Sequence, residues 1–240
     1  MMLQRPVWST TATASPSTDG QDTGVHLFCL HHAGGTTASF AGWRFDGVTV
    51  TKLSYRGWDF MSLGAAADAL AERVTASASD QLALYGHSMG AVLAFEIALR
   101  LQQTGRVAHV FLAATRPPSG THDAGAAAVA AAGALSPRAR EVLLEDLDLL
   151  AGYPGRPPRK QLEVPTTVLY SADDPVVPVA DSLRWASWCA AEPRLVKLDT
   201  GGHLFHLGNP AVRMLVEKTL SSGPLSPEPS RDVLTDQRHG

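Results

Sequence analysis

Cysteine is scarce in this sequence, with only Cys29 and Cys189 among 240 residues. Two cysteines cannot build the dense disulfide framework that stabilises small secreted domains. The first 24 residues also lack the apolar core of a signal peptide, so we do not expect export. Both absences favour a cytoplasmic protein whose two thiols stay reduced and partly buried.

Two further absences narrow the classes of function. No uninterrupted apolar run approaches the roughly 20 residues that a membrane-spanning helix needs. The formal net charge is -3 and no dense basic stripe occurs, which argues against nucleic acid as a partner. Since no internal repeat occurs either, the sequence predicts one domain with a full core, neither membrane-bound nor nucleic-acid-binding, and we expect a monomer.

The composition also predicts the limits of that domain. Residues 1–24 and 222–240 are polar, which is typical of flexible tails, so the folded domain should cover 25–221. Between two strand-like runs, residues 114–165 hold an alanine- and glycine-rich stretch, one helical pattern and a proline-rich stretch. We expect this insertion to form a short helical lid over about 117–163.

Short apolar runs alternate with helical patterns along the domain. The predicted strands are 25–30, 48–53, 82–85, 109–114, 166–170 and 194–198. The predicted helices are 63–78, 89–103, 136–150, 179–189 and 210–220, the last with Asn209 as its N-cap. This alternation predicts an α/β fold with a mostly parallel central sheet flanked by helices, in which chemistry gathers at the carboxyl ends of the strands.

The strongest chemical signal is the run Gly86-His-Ser-Met-Gly90, which follows a predicted strand and opens a predicted helix. A serine between two glycines in a strand–turn–helix context is typical of a nucleophile elbow. The glycines are needed because bulkier residues would collide with neighbouring elements at this sharp turn. Ser88 is therefore the predicted nucleophile, while His87 is expected to be structural.

A serine nucleophile needs a base and an acid that orients the base. In this arrangement the chain order is serine, acid, histidine, each after a strand. His203 follows one predicted strand through two glycines, and Asp174 follows another; its neighbour Asp173 stays open as the alternative acid. Asp199 precedes His203 too closely to reach it easily, and His206 is expected to pack or to face solvent. No zinc-binding spacing accompanies these histidines, so we expect no metal.

Four segments in this order resemble type II thioesterases, the stand-alone α/β-hydrolases of polyketide and non-ribosomal peptide assembly lines. They are "LFCLHHAGG", "YGHSMGA", "ADDPVVP" and "GGHLF", spread from residue 27 to 205. The resemblance implies an α/β-hydrolase fold and hydrolysis of acyl thioesters from the phosphopantetheine arm of an acyl or peptidyl carrier protein. It implies no cofactor beyond that arm. The same resemblance places the oxyanion-binding backbone N–H groups at Ala33 and Met89, with His32, Gly34 and Gly35 as a supporting loop.

Two departures leave the outcome of the reaction open. The run Ser54-Tyr-Arg-Gly-Trp58 stands where the family usually has Pro-Gly-Arg, and the predicted lid is short and alanine-rich. A different lid changes access to an acyl-enzyme. The alternatives are therefore cyclising release, acyl transfer or simple esterase activity by the same triad, and a non-catalytic binding protein on an α/β-hydrolase fold.

Overall fold

The computed structural model describes residues 24–56, 60–118, 135–154 and 160–222, together with the backbone of 232–234. These residues form one seven-stranded sheet in the order β2-β1-β3-β4-β5-β6-β7, with every neighbouring pair parallel. The strands are β1 (Val25–Leu30), β2 (Val48–Leu53), β3 (Gln81–His87), β4 (Val107–Ala113), β5 (Thr166–Ser171), β6 (Arg194–Leu198) and β7 (Asp232–Leu234). The predicted α/β fold with a parallel sheet is confirmed.

Five α-helices accompany the sheet in the described chain. They are α1 (Leu63–Thr75), α2 (Met89–Leu101), α3 (Pro137–Ala151), α4 (Val179–Leu183) and α5 (Pro210–Ser221). A 3-10 helix, Arg184–Trp188, continues α4, so the single helix predicted for 179–189 is divided in two. The predicted cap of α5 is confirmed, because the Asn209 side chain accepts a hydrogen bond from the Ala211 N–H at 2.9 Å. None of the described helices is long and apolar enough to cross a membrane.

The central strands are apolar on both sides because helices cover both faces of the sheet. Alternate residues of β1 enter different cores: Phe28 and Leu30 pack with α1 and α2, whereas Leu27 and Cys29 pack with α5. Leu30 at the end of β1 is paired in register with Gly86 near the end of β3. The carboxyl ends of these two strands therefore lie side by side.

The predicted tails and lid are described only in part. The strand β7 lies inside the predicted C-terminal tail, 222–240, and pairs with β6 from Val196 to Leu198, so this part of the tail joins the sheet edge. Of the lid predicted over about 117–163, the structure describes residues 117–118, 135–154 with α3, and 160–163; residues 119–134 and 155–159 lie outside the described residues. The N-terminal tail, 1–24, lies outside them as well, except for Gly24.

Candidate active site

Ser88 lies at the turn from β3 into α2. Its φ of 55° and ψ of -118° are unusual for a residue with a side chain, and its N–H is held by the Ala113 carbonyl of β4 at 2.8 Å. A Cβ on Gly86 would lie 2.2 Å from the Gly90 carbonyl oxygen, and one on Gly90 would lie 2.3 Å from the Leu30 carbonyl oxygen. Both glycines are therefore required by close backbone contacts, as the sequence predicted.

The structure brings Ser88, His203 and Asp174 into one hydrogen-bonded chain. The Ser88 Oγ lies 2.9 Å from His203 Nε2, and His203 Nδ1 lies 2.9 Å from Asp174 Oδ2. Asp174 is 2% exposed at its side chain and His203 17%, so the acid lies deeper in the protein than the histidine. In the tautomer that satisfies both contacts, Nδ1 donates to the carboxylate and Nε2 accepts from the hydroxyl.

The two adjacent aspartates have different partners. Asp174 Oδ1 accepts from the N–H groups of Val176 and Val177, at 2.8 and 3.0 Å, which fixes the carboxylate while it faces His203. Asp173 turns away and accepts from the Ser171 hydroxyl at 2.6 Å and the Gly202 N–H at 2.8 Å. The Ser171 hydrogen bond is the main cause that lowers the pKa of Asp173. Asp174 thus contacts the histidine, whereas Asp173 holds the loop that carries it.

Two other histidines, His87 and His206, are buried beside the candidate triad. The buried ring of His87 donates from Nε2 to the His203 carbonyl at 2.7 Å, in keeping with its predicted structural role. His206 is 0% exposed and stacks on His87 with 3.7 Å between ring centroids. Burial lowers the pKa of His206 to about 2, and burial followed by the neighbouring His206 lowers that of His87 far below its ordinary value. Both imidazoles are therefore neutral at physiological pH.

The loop after β1 lies next to the start of α2. It comprises residues 31–35 and is here called the β1 loop. Within the described residues, neither the Ala33 N–H nor the Met89 N–H has a hydrogen-bond acceptor. Met89 is the first residue of α2, where backbone N–H groups lack intrahelical partners and favour negative charge. Both predicted oxyanion donors are therefore available at the carboxyl edge of the sheet.

The predicted supporting residues contact that loop in different ways. Gly34 has a φ of 76°, and a Cβ there would lie 3.1 Å from Leu143 Cδ1 on α3. A Cβ on Gly35 would lie 2.8 Å from the His32 ring, and the Gly35 N–H donates to the His32 carbonyl at 2.9 Å. The His32 ring therefore packs over Gly35. Burial lowers the pKa of His32 to about 4.

Sequence reasoning missed three side chains that hold the β1 loop. His31 is buried and donates from Nδ1 to the His32 carbonyl at 2.9 Å. The Tyr55 hydroxyl lies 3.1 Å from the same carbonyl oxygen. Asp146 of α3 accepts a hydrogen bond from the Gly34 N–H at 2.7 Å. One signal existed: Asp146 lies on the buried stripe of α3 between Leu143 and Leu150, where an apolar residue is usual.

The remaining reactive side chains form no second centre in the described chain. No group of three or more histidine, cysteine, aspartate or glutamate side chains there could hold a metal ion. Cys29 and Cys189 are buried free thiols, as predicted. Burial raises the pKa of Cys189 to about 11 and that of Cys29 well above its ordinary value, so neither thiol is ionised at neutral pH.

Known proteins share this fold. The chain is 34% identical to a probable cadicidin biosynthesis thioesterase of Streptomyces griseus, in a match covering 75% of this chain and 58% of that protein. It thus spans less than two thirds of that relative's length. The solved structure of RedJ, the thioesterase of the prodiginine biosynthetic pathway in Streptomyces coelicolor, matches with a TM-score of 0.69 at 27% identity, covering 90% of this chain and 91% of RedJ.

A further solved structure, the type II thioesterase BorB from the borrelidin biosynthetic cluster, matches with a TM-score of 0.70 at 23% identity. That match covers 87% of this chain and 94% of BorB, and it supports the fold. The family of thioesterase domains matches residues 25–152, more than half of the 240 residues. The predicted resemblance is therefore confirmed, and the chain belongs to the thioesterase domain family, on an α/β-hydrolase fold.

Proposed function

We propose that this protein hydrolyses acyl thioesters carried on the phosphopantetheine arm of acyl or peptidyl carrier proteins, through an acyl-serine intermediate. The observation that carries the proposal is the hydrogen-bonded chain Ser88–His203–Asp174 at the carboxyl edge of the sheet. The pathways named for the relatives, cadicidin and prodiginine biosynthesis, support secondary metabolism as the setting.

Acylation follows from the geometry of the chain. Ser88 Oγ attacks the thioester carbonyl carbon while its proton passes to His203 Nε2, 2.9 Å away. Asp174, held by two backbone N–H groups, keeps Nδ1–H of His203 oriented and stabilises the imidazolium that forms. The tetrahedral intermediate then collapses, the C–S bond breaks, and Nε2 returns its proton to the departing thiolate.

Deacylation reverses these roles with water as the nucleophile. His203 Nε2 takes a proton from water, the resulting hydroxide attacks the acyl carbon, and Ser88 Oγ leaves with the proton. In each step the negative charge on the carbonyl oxygen is received by the N–H groups of Ala33 and Met89. One such donor contributes roughly 3–4 kcal/mol to the transition state in serine hydrolases.

The other predicted properties belong to the same proposal. The residues of the triad need neither a metal nor an organic cofactor, so the phosphopantetheine of the partner carrier protein is the only prosthetic group involved. A small-molecule acyl thioester would be a second class of substrate. We expect a cytoplasmic monomer that binds neither nucleic acid nor a membrane.

The proposal is tested by labelling and by product analysis. A fluorophosphonate probe should label the wild type and fail to label Ser88→Ala; equal labelling of both would remove Ser88 as the nucleophile. Acyl carrier proteins loaded with a panel of acyl chains should then yield free acids, measured by mass spectrometry with and without amine or alcohol acceptors. Cyclised or transferred products would replace hydrolysis by acyl transfer, and cleavage of simple esters alone would leave an esterase.

A further inference from the structure

A polar cluster outside the triad joins helix α3 to the β1 loop. Its members are Asp146, Tyr55, Arg56 and the Gly34 N–H, and it is called the Asp146 cluster below. We propose that Asp146 is a positioning residue that holds the β1 loop so that the Ala33 N–H faces the reacting carbonyl oxygen. This inference rests on the proposed function of the Ser88 site.

One carboxylate oxygen receives all three donors of the cluster. Asp146 Oδ2 accepts from the Gly34 N–H at 2.7 Å, from the Tyr55 hydroxyl at 3.2 Å and from the Arg56 guanidinium in a short ion pair. Asp146 is only 6% exposed. A buried carboxylate is costly unless it is paired, and Leu143 and Leu150 flank it on the same stripe. A charged residue at this position thus serves specific contacts rather than packing.

The Tyr55 hydroxyl links this carboxylate to the next peptide group. It lies 3.1 Å from the His32 carbonyl oxygen and 3.2 Å from Asp146 Oδ2, although a hydroxyl has one proton to donate. Burial, followed by the charge of Asp146, raises the pKa of Tyr55 well above its ordinary value. The hydroxyl therefore remains protonated and can serve either oxygen.

Peptide planarity carries these contacts to the proposed oxyanion donor. The His32 carbonyl and the Ala33 N–H belong to one trans peptide unit and point in opposite directions. That carbonyl is held by Tyr55, by His31 Nδ1 at 2.9 Å and by the Gly35 N–H at 2.9 Å. Asp146 holds the following peptide through the Gly34 N–H. The direction of the Ala33 N–H is thus set by contacts on both of its sides.

The opposite end of α3 offers a matched control. There the Tyr153 hydroxyl, just beyond the helix, donates to the buried carboxylate of Glu96 on α2. This contact also ties the α3 segment to the body, but it touches neither the β1 loop nor the triad. Tyr153→Phe should lower the melting temperature and leave catalysis unchanged. Asp148→Asn, at an exposed site on the same helix, controls for the loss of a charge.

The test compares Asp146→Asn and Asp146→Ala with these controls, at a temperature where circular dichroism shows every variant folded. The substrate is a short-chain 4-nitrophenyl ester, and the inhibitor is a trifluoromethyl ketone, which forms a tetrahedral oxyanion adduct with the serine. We expect kcat to fall by about 10-fold to 100-fold in the Asp146 variants with KM nearly unchanged. The inhibition constant of the ketone should rise by the same factor as kcat/KM falls.

A different pattern would overturn the inference. If kcat is preserved and KM rises, or if ketone affinity stays at the wild-type value, Asp146 only shapes the pocket or stabilises the fold. Should Asp146→Ala fail to fold, the same test can be made with two other variants. They are Asp146→Asn, which keeps the side chain's shape, and Tyr55→Phe. A Tyr153→Phe variant that lost kcat equally would also contradict a specific role for Asp146.

The same assay separates this inference from the proposed function. The aryl ester and the ketone report on the oxyanion donors whether or not carrier-bound thioesters are substrates. If the wild type cleaves the ester but releases nothing from loaded carrier proteins, the thioesterase proposal fails. The comparison of the Asp146 variants with their controls remains a valid test of the positioning role. A wild type that neither cleaves the ester nor binds the ketone would overturn both.

Discussion

The two loops that supply the candidate oxyanion donors are built on different principles. The turn that carries Met89 is shaped by main-chain contacts: Gly86 and Gly90 allow close approach of backbone atoms, and the Ser88 N–H donates to a carbonyl of β4. The β1 loop that carries Ala33 is shaped by side chains from distant parts of the chain, above all Tyr55 and Asp146. One donor is thus positioned by main-chain contacts and the other largely by side-chain hydrogen bonds.

This difference matters for evolution and engineering of the site. Substitutions of Gly86 or Gly90 cannot be accommodated in small steps, because a Cβ at either position would meet main-chain atoms that cannot rotate away. The contacts of the β1 loop are side-chain hydrogen bonds, each of which contributes on the order of 1 kcal/mol and can be removed singly. We therefore expect a substitution at either glycine of the turn to have a severe effect. Single substitutions around the β1 loop should each lower activity or stability by a smaller amount.

The largest effect should come from Gly86→Ala. Its Cβ would lie 2.2 Å from the Gly90 carbonyl oxygen and 2.4 Å from the Ala91 Cα, so β3 and α2 would have to separate. We expect a loss of more than about 4 kcal/mol in the free energy of unfolding, measured by urea denaturation. Gly64→Ala in α1 serves as the control, because Gly64 has no positive φ and a Cβ there would meet only the Ser62 Oγ, at an ordinary contact distance of 3.8 Å. A well-folded, active Gly86→Ala protein would refute the control of this turn by main-chain contacts.

A smaller effect is expected for Gly34→Ala in the β1 loop. The substitution forces alanine to a φ of 76° and brings its Cβ within 3.2 Å of the Leu143 Cβ. The strain should cost about 1–2 kcal/mol of stability, and the displaced loop should lower kcat about tenfold. Steady-state kinetics on folded protein measures the second effect. Unchanged kcat would show that the loop tolerates movement and that its position is not critical.

His31→Ala should have a modest effect. The side chain supplies one of three donors to the His32 carbonyl, so its loss leaves Tyr55 and the Gly35 N–H in place. We expect kcat to fall a few-fold, roughly the value of one neutral hydrogen bond, with KM unchanged. His31→Asn, which can still donate, should recover part of the activity. If both variants match the wild type, His31 only packs.

The smallest effect at neutral pH concerns His206, one of the two buried histidines beside the triad. His206 is buried with both ring nitrogens unpaired in the described chain, and burial lowers its pKa to about 2. Since the unfolded state takes up a proton near pH 6.5 and the folded state does not, stability is full above that pH and declines as the pH falls. The loss should reach about 2 kcal/mol at pH 5 for this one histidine.

His206→Phe should remove that share of the acid sensitivity. Phenylalanine keeps a ring to stack on His87 and carries no proton-binding nitrogen. Urea denaturation at pH 7 and pH 5 should show a smaller difference for the variant than for the wild type. Parallel pH dependence in the two proteins would mean that His206 is not the group that titrates.

The same contrast explains what could be predicted from the sequence. The Ser88 turn, the bounds of β1, β2 and β6 and the Asn209 cap depend on neighbouring residues, so local patterns sufficed for them. The choice between Asp173 and Asp174 needed coordinates, because adjacent carboxylates differ only in where their loop turns them.

Long-range contacts explain the omissions. Asp146 is 112 residues from its partner Gly34, and nothing near either residue in the sequence announces the contact. The strand β7 was missed because it is a three-residue strand in a polar, proline-containing stretch, and only its pairing with β6 identifies it. These elements become visible only when the sheet and α3 are assembled.

The most direct measurement of the central claim is a rapid-quench single turnover with an acyl carrier protein loaded with a short acyl chain, followed by mass mapping of the protein. We expect an acyl group on the peptide containing Ser88, appearing before the free acid and decaying as the acid forms. Ser88→Ala should show neither adduct nor acid. Free acid that accumulates at the wild-type rate from Ser88→Ala, or from wild type without any adduct on Ser88, would contradict it.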